Sequence, residues 1–377
     1  MSSYEKIISI NKDFIDTTWK KIEEKLCLVA ERNKGKLPYT TENGRYNDFS
    51  ETMPDAWTNG FWPGMMWLLY VGSGKELYRE VAEGAEKLLE VAAGDFDLLH
   101  HDVGFMWRIS SGVNYRLTGN KKAKTRTMYM AASLASRYNM MTKSIRAWIE
   151  EERSRLVIID CMMNLPLLYW ASEETNDPRF SFIAQSHADT AMKNHIRSDG
   201  SVAHVLEYDL QTGELLGGAP GQGTGLDSSW TRGQAWALYG FILSYIHTGK
   251  EEYLETAKKV AHYFIACVSE FNYVAPYDFR QPDDFEGIDT SASAIAACGL
   301  IEIAKVVPDC EQSLYLRPAI KMLKALCEEH CNWSAEEDSI LQNVASSAKK
   351  MNRPYIFGEY YFVEAFYKLK GFEPLFW

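Results

Sequence analysis

The chain repeats one unit six times: a polar or aromatic opening residue, a helix rich in small residues, a turn and a second helix. The first helices of the six units are predicted at residues 60–70, 104–117, 165–171, 233–246, 291–306 and 360–368. Several end at turns such as Thr118-Gly-Asn and Thr248-Gly-Lys, because glycine and asparagine tolerate the left-handed backbone angles that stop a helix. Six helical hairpins that close into a ring predict an all-α fold, the (α/α)6 barrel.

A closed ring is one structural unit whatever its length. The repeat therefore predicts a single domain over residues 1–377, although a prior of about 150 residues per domain would suggest two or three. Residues 1–56 are expected to form a first helix and a loop, and residues 57–377 the six hairpins. The ring would bring the six opening residues around one pit. These openings are Trp57, Asp102, Asp160, Trp230, Asp289 and Gly358.

The segment 196–229 interrupts the helical pattern. Its first half alternates polar and apolar residues, which predicts a short β-hairpin, and the glycines between 217 and 225 predict a loop at the rim of the pit. Long irregular segments inside a compact domain are usually functional. The glycines do not predict a phosphate-binding loop, because no Gly-Lys-Ser/Thr accompanies them.

The net charge of −11 and the absence of a basic block exclude nucleic acid as an expected partner. An anionic small substrate would need local cations to bind. No apolar stretch reaches the roughly 18 residues that span a bilayer, so no membrane partner is expected. The start of the chain lacks the pattern of a signal peptide and the seven cysteines are scattered, as reduced thiols would be, which predicts a cytoplasmic location.

No metal or cofactor is expected. Cys327, His330 and Cys331 could form one face of a metal site, but the sequence offers no second pair of ligands. No nucleotide-binding fingerprint is present either. The sequence does not determine the oligomeric state.

Two of the six openings are aspartates. Asp160 stands inside an apolar run, Leu156-Val-Ile-Ile-Asp-Cys-Met-Met, and Asp102 follows two histidines. Burial among apolar side chains favours the protonated form of a carboxyl group, which a general acid requires. Helix capping is the simpler explanation for Asp102. It explains Asp160 less well, because Pro166 places the next helix start some residues later, so Asp160 is the first catalytic candidate and Asp102 the second.

Aromatic and cationic residues at other openings suggest a sugar-binding pit. Trp57 and Trp230 could stack on sugar rings, and Arg232 could clamp a carboxylate through two parallel hydrogen bonds. The alternative for Arg232 is a structural ion pair with a neighbouring acid. His204, in the alternating insert, could donate a hydrogen bond to an anionic oxygen or serve a structural role.

The chain resembles the unsaturated glucuronyl hydrolases, glycoside hydrolase family 88. Six stretches carry the resemblance in order along the chain. They are Trp57-Thr-Asn-Gly-Phe-Trp, His100-His-Asp-Val-Gly-Phe, Ile158-Ile-Asp-Cys-Met-Met-Asn-Leu-Pro-Leu-Leu, Trp230-Thr-Arg-Gly-Gln-Ala-Trp, Asp289-Thr-Ser-Ala-Ser-Ala-Ile and Gly358-Glu-Tyr-Tyr. The family folds as (α/α)6 barrels, in agreement with the repeat.

The resemblance implies an unusual glycosidase chemistry. Members of the family remove the 4,5-unsaturated uronic acid that lyases leave at the non-reducing end of glycosaminoglycan fragments, such as chondroitin and hyaluronan disaccharides. The resemblance assigns Asp160 to protonate C4 of the vinyl ether and to activate a water that adds at C5. Asp102 would order the water or the ring, and its like charge would keep Asp160 protonated.

The resemblance also implies a set of sugar-binding residues. These are Trp57, Trp148, His204, Gln222, Trp230 and Arg232, with Ser347 and Lys349 matching a Ser-x-Lys element that is linked to sulfated sugars in streptococcal members. Two departures bear on substrate preference more than on reaction type. Ile288 stands where the family usually has arginine, and Phe357-Gly-Glu359 where it has Trp-Gly-Asp.

Three other functions compete with this prediction. The unsaturated rhamnogalacturonyl hydrolases of family 105 share the fold and the chemistry, but the His-His-Asp motif favours family 88. Sugar epimerases with (α/α)6 barrels use paired histidines as acid and base, whereas the adjacent His100 and His101 would point in different directions. A sugar-binding scaffold without activity is disfavoured, because a carboxylate in an apolar run is a poor binding group.

Overall fold

The computed structural model describes residues 1–148 and 150–377. The α-helices are α1 (Ser3–Ile10), α2 (Lys12–Arg32), α3 (Phe61–Ser73), α4 (Glu76–Leu88), α5 (Glu90–Ala93), α6 (Ser111–Thr118), α7 (Lys121–Ser136), α8 (Leu165–Thr175), α9 (Arg179–Asn194), α10 (Thr231–Thr248), α11 (Glu251–Ser269), α12 (Thr290–Val306), α13 (Asp309–Glu329) and α14 (Ile356–Leu369). Within the described residues, none of these helices is both long enough and apolar enough to cross a bilayer.

Short strands and tight helical turns connect the helices. The strands are β1 (Thr41–Glu42), β2 (Arg45–Tyr46), β3 (Tyr138–Asn139), β4 (Ser144–Ile145), β5 (Leu156–Ile158), β6 (Val205–Tyr208) and β7 (Leu215–Gly218). The 3-10 turns are Trp57–Gly60, Phe96–Leu98, Glu151–Arg153 and Ile159–Met163, and Gly104–Arg108 is a π-helical turn.

The inner wall of the molecule is a closed ring of helices. It consists of α3, α6, α8, α10, α12 and α14, with the turn Gly104–Arg108 beside α6 and the turn Ile159–Met163 beside α8. Each member packs against the next, and α14 returns to α3. The inner helices α12 and α14 are buried almost all round, whereas the outer helix α4 buries one face, as their positions require. The predicted (α/α)6 barrel is confirmed.

The ring closes differently from the expected division of the chain. No outer helix follows α14 in the described residues; instead α2, expected only as a first helix before the hairpins, packs against α14, α3 and α4. The segment 57–377 therefore lacks the outer helix of its sixth hairpin, which residues 12–32 supply. The helical periodicity of this segment was readable, but its pairing with an inner helix more than 300 residues away is a tertiary contact that local spacing does not encode.

A three-stranded antiparallel sheet stands at one end of the ring, in the order β5-β6-β7. The hairpin of β6 and β7 confirms the hairpin expected within 196–229. The strand β5, which ends two residues before Asp160, was not predicted. Its pairing of Ile158 with Val205 continues in a hydrogen bond of 3.1 Å from the Ile159 N–H to the His204 carbonyl. The sheet thus brings residues 160 and 204 side by side.

A buried carboxyl group joins three helices on another side of the ring. Glu86 of α4 accepts hydrogen bonds from Trp67 Nε1 at 2.9 Å, Asn114 Nδ2 at 3.0 Å and Ser111 Oγ at 3.2 Å. Burial raises the pKa of Glu86 to about 7, because these hydrogen bonds and the nearby Arg126 offset only part of the lost hydration.

The substitution Glu86→Gln is expected to change the pH dependence of stability. The unfolded carboxyl ionises near pH 4.5, whereas the folded one keeps its proton up to about pH 7, so wild-type stability falls as pH rises between these values. Glutamine removes this contribution. The free energy of unfolding of the variant, relative to wild type, should increase by up to about 3 kcal/mol between pH 4.5 and pH 8 in urea titrations.

Glu90→Gln is the matched control, because Glu90 also contacts Arg126 but its side chain is 58% exposed. A difference between Glu86→Gln and wild type that stays constant from pH 4.5 to pH 8 would contradict the assignment.

Candidate active site

Three of the six opening residues, Trp57, Asp102 and Asp160, line a cavity of about 320 Å³. Its wall combines the start of inner helices with the sheet of β5 and β6. The predicted site residues that line it are Trp57, Asp102, Trp148, Asp160, His204, Gln222 and Arg232. The structure therefore brings together most of the residues that the sequence singled out, including both aspartates.

Two histidines and Asn164 lie against the Asp102 carboxylate, and the Asp102 N–H donates to His100 Nδ1 at 3.1 Å. Its Oδ2 lies 3.2 Å from His100 Nδ1, and its Oδ1 lies 3.2 Å from His101 Nε2 and accepts a hydrogen bond of 3.2 Å from Asn164 Nδ2. Burial alone would raise the pKa of the Asp102 carboxyl, but His101 and His100 outweigh it and hold that pKa well below its usual range. Asp102 is thus an ionised carboxylate facing side chains, and helix capping does not account for it.

His100 is the polar partner that links Asp102 to the surrounding loop. Its Nε2 donates to the Asp55 carbonyl at 2.8 Å. Burial lowers the pKa of His100, but its contact with the Asp102 carboxylate and the Asp55 carbonyl prevails and raises that pKa above its ordinary value. Both adjacent histidines are directed to one carboxylate, an arrangement unlike the separate acid and base that an epimerase needs.

Asp160 lies in the turn Ile159–Met163, between β5 and α8. Its side chain is 17% exposed, in the cavity wall, and Oδ1 is 3.3 Å from His204 Nε2. The apolar run places the buried Ile159 and Cys161 beside Asp160, and Asp160 Oδ1 is itself buried without a hydrogen-bond partner, whereas the rest of the side chain reaches the cavity. Burial raises the pKa of the Cys161 thiol, and the charges of both Asp102 and Asp160 raise it further, so the two carboxylates act on one buried group.

His204 is held in one orientation. Its Nδ1 accepts a hydrogen bond of 2.9 Å from the Gln222 N–H, so in the neutral ring the proton sits on Nε2, which faces Asp160. His195 Nδ1 lies 2.7 Å from the Ala203 carbonyl and fixes the residue before His204. The Gly-rich loop that was expected at the rim therefore supplies the group that sets the tautomer of a cavity residue.

Arg232 is not an open clamp for a carboxylate. It is buried, and its Nη1 pairs with Asp289 and with the Ala345 carbonyl. Its Nη2 donates to Gln222 Oε1 at 3.1 Å and to the Ser346 carbonyl at 3.3 Å. The structural ion pair, the alternative left open by the sequence, is the one observed, and it positions Gln222 in the cavity wall.

The three predicted tryptophans occupy different environments. Trp230 is 1% exposed and does not line the cavity; it packs between the His204 ring, 4.4 Å away, and the Arg232 guanidinium, 4.6 Å away. Its stacking on a sugar stays a prediction and would require these neighbours to move, because the side chain is buried. Trp57 lines the cavity and contacts Phe357, one of the departures from the family pattern. Trp148 also lines the cavity, and the guanidinium of Arg153 covers one face of its ring.

Ser347 and Lys349 lie in a turn closed by a hydrogen bond of 2.9 Å from the Ser346 N–H to the Lys350 carbonyl. Ser346 lines the cavity, whereas Ser347 is half-buried and Lys349 is exposed outside the wall. Their contact with sulfated sugars stays a prediction. Among the departures, Ile288 does not line the cavity.

Glu359, the other departure, is buried and fastens the segment that leads to Ser346. It accepts hydrogen bonds of 2.8 Å from the Ile340 and Leu341 N–H groups. Burial raises its pKa above the ordinary value, although these hydrogen bonds lower it. Glu359 therefore holds in place the segment that carries Ser346 into the cavity wall.

The structure adds two polar residues to those predicted. Asn164 donates to Asp102, and its Oδ1 accepts from the Phe105 N–H at 2.9 Å, so it joins the two aspartate turns. It stood four residues after Asp160 in a stretch already singled out. Arg153 also lines the cavity. The sequence did not single it out, because it follows Glu150, Glu151 and Glu152, a charge run typical of a solvated surface.

Comparison with known proteins supports the family resemblance seen in the sequence. The profile of Glycosyl Hydrolase Family 88 matches residues 29–375. Unsaturated glucuronyl hydrolase of Bacillus sp. (strain GL1) is 34% identical over 325 residues, 83% of this chain and 86% of that protein. Unsaturated chondroitin disaccharide hydrolase of Streptococcus pneumoniae is 34% identical over 333 residues, 85% of this chain and 83% of that protein. The crystal structure of the unsaturated glucuronyl hydrolase from Bacillus sp. GL1 superposes with a TM-score of 0.87 at 31% identity, covering 93% of this chain and 97% of that one. The chain belongs to glycoside hydrolase family 88.

Proposed function

We propose that this enzyme removes the 4,5-unsaturated uronic acid from the non-reducing end of glycosaminoglycan oligosaccharides made by lyases, with chondroitin and hyaluronan disaccharides as substrates. The observation that carries the proposal is the shared cavity of Asp160 and the ionised Asp102, with aromatic and cationic side chains in its wall. The names of the similar enzymes support the same substrate class. We further propose a single domain over residues 1–377 that acts in the cytoplasm, where its seven free cysteines would stay reduced.

We assign the role of proton donor to Asp160. In its protonated form it gives a proton to C4 of the unsaturated ring, and positive charge develops at C5 and the ring oxygen. A water adds at C5 and returns a proton to the Asp160 carboxylate, so the residue ends the step as it began. The C5 hemiketal then opens to a ketone. The hemiacetal left at C1 collapses to an aldehyde and releases the second sugar with its hydroxyl group.

Asp102 and His204 support this step in different ways. The ionised Asp102 disfavours a second negative charge nearby and stabilises the positive charge that forms at C5. The Nε2–H of His204 and the side chain of Gln222, held by Arg232, form a polar corner for the carboxylate of the uronate. The substrate carboxylate would then replace Asp160 as the neighbour of His204 Nε2.

Asp160→Asn should abolish turnover while preserving binding. An amide cannot donate and then accept the proton, so kcat should fall by about 100- to 10,000-fold. The measurement is the loss of ultraviolet absorbance of the conjugated enoate in unsaturated chondroitin, hyaluronan and rhamnogalacturonan disaccharides, with affinity followed by calorimetry. Asp283→Asn, in an exposed loop, is the control. A variant that keeps most of the wild-type kcat would refute the assignment, as would a wild-type enzyme that consumes none of the disaccharides.

Asp102→Asn should lower both kcat/KM and the pKa of His100. Contact with the Asp102 carboxylate raises the pKa of His100 against the effect of burial, so a neutral asparagine leaves burial to lower it. The titration of His100 should therefore move to lower pH in histidine-labelled NMR spectra, with His100→Gln used to assign the signal. An unchanged His100 titration in the variant would show that the two side chains do not interact as described.

A further inference from the structure

Arg153 places a cation at the mouth of the cavity. It ends the turn Glu151–Arg153, just before β5, and its guanidinium carbon lies 3.3 Å from the centroid of the Trp148 ring. The side chain is 43% exposed and lines the cavity. Among the described residues, the carboxylate within ion-pair distance is that of Glu150, 4.0 Å from Nη1. A pair this long and exposed neutralises little of the charge.

The other arginine of the cavity wall contrasts with Arg153. Arg232 is buried and paired with Asp289, itself fully buried, so the two form a neutral unit. The ionised Asp102 adds negative charge to the cavity, and the whole chain carries −11. Of the two arginines that line the cavity, Arg153 is the exposed one, so its charge is the one open to an incoming anion.

The depth of the cavity assigns this cation to a particular part of the substrate. The proposed reaction places the unsaturated ring beside Asp160 and His204, whose side chains are 17% and 9% exposed. We infer that the sugar that leaves extends from there toward the more exposed part of the wall, to which Arg153 belongs. In some glycosaminoglycan fragments that sugar carries a sulfate ester, and in others it carries none. The planar guanidinium donates two parallel hydrogen bonds, which match two oxygens of a sulfate, and its stacking on Trp148 reduces the entropy lost on binding.

We propose that Arg153 binds a sulfate ester on the sugar that leaves, and that it sets the preference of this enzyme for sulfated over unsulfated disaccharides. This inference rests on the proposed function. It concerns a residue on the wall formed by Trp148 and β5, and not one of the turn of Ser347 and Lys349. Trp148 is then the platform that orients Arg153, and the covered face of its ring does not stack on the sugar.

Arg153→Gln and Arg153→Lys test the proposal with unsulfated, 4-sulfated and 6-sulfated unsaturated chondroitin disaccharides. For at least one sulfated substrate, KM should rise about tenfold in Arg153→Gln, the size expected for a lost charge-assisted hydrogen bond. The kcat for that substrate, and the KM for the unsulfated disaccharide, should change by less than about twofold. Arg153→Lys should keep part of the preference, because it keeps the charge but loses the two-pronged geometry. Added salt should shrink the difference between substrates in the wild type.

Arg155→Gln is the matched control. Arg155 is two residues away, its side chain is 60% exposed and lies 3.7 Å from Glu207, and its loss changes the net charge equally. An equal rise of KM for sulfated and unsulfated substrates, no change in Arg153→Gln, or the same change in Arg155→Gln would each overturn the proposal while the hydrolase activity stands. A wild-type enzyme inactive on every disaccharide would instead overturn the proposed function, and this inference with it.

Discussion

The catalytic geometry depends on the pairing of two short strands. Ile158 of β5 lies opposite Val205 of β6, and the Ile159 N–H donates to the His204 carbonyl. Successive side chains of a strand point to opposite faces, so a slip of one residue would turn His204 away from the cavity and leave Asp160 without its neighbour. The ring of helices gives this sheet a fixed base, because Asp160 sits in the turn between β5 and the inner helix α8.

A chain of polar contacts extends this constraint from the helical ring to the cavity. Asp289, at the start of α12, pairs with Arg232 of α10; Arg232 holds the side chain of Gln222, whose backbone N–H fixes His204. Asp289 and Arg232 are buried, and Gln222 and His204 are partly buried. Removing one partner of a buried ion pair costs about 3–5 kcal/mol, because the other charge stays behind without compensation. The same contacts therefore serve stability and the orientation of the site.

The sequence was informative where the signal is local or carried by ordered motifs. Helical periodicity, turn residues and the two aspartate stretches predicted the barrel and both carboxylates of the cavity. It was not informative about which face of a side chain stays open. Trp230 and Arg232 were correctly placed near the site, but their partners, His204 and Asp289, come from other segments, and these cover the surfaces that would have met a sugar. Arg153 was missed because an acidic run precedes it. The helix α2 was predicted, but its place in the ring was missed because its inner-helix partner is far away in the chain.

The closure of the ring by α2 has a consequence for how the protein is made. A ribosome synthesises the partner of α2, the helix α14, more than 300 residues later. Until then the apolar face of α2, with Trp19, Ile22 and Leu26, lacks one of the surfaces that bury it in the finished ring. At about 5–20 residues per second, that interval lasts tens of seconds at the slower rates. The nascent chain thus passes through a stage in which the ring is open and apolar helix faces are exposed at both of its ends. Chaperone binding at this stage would protect the chain from aggregation.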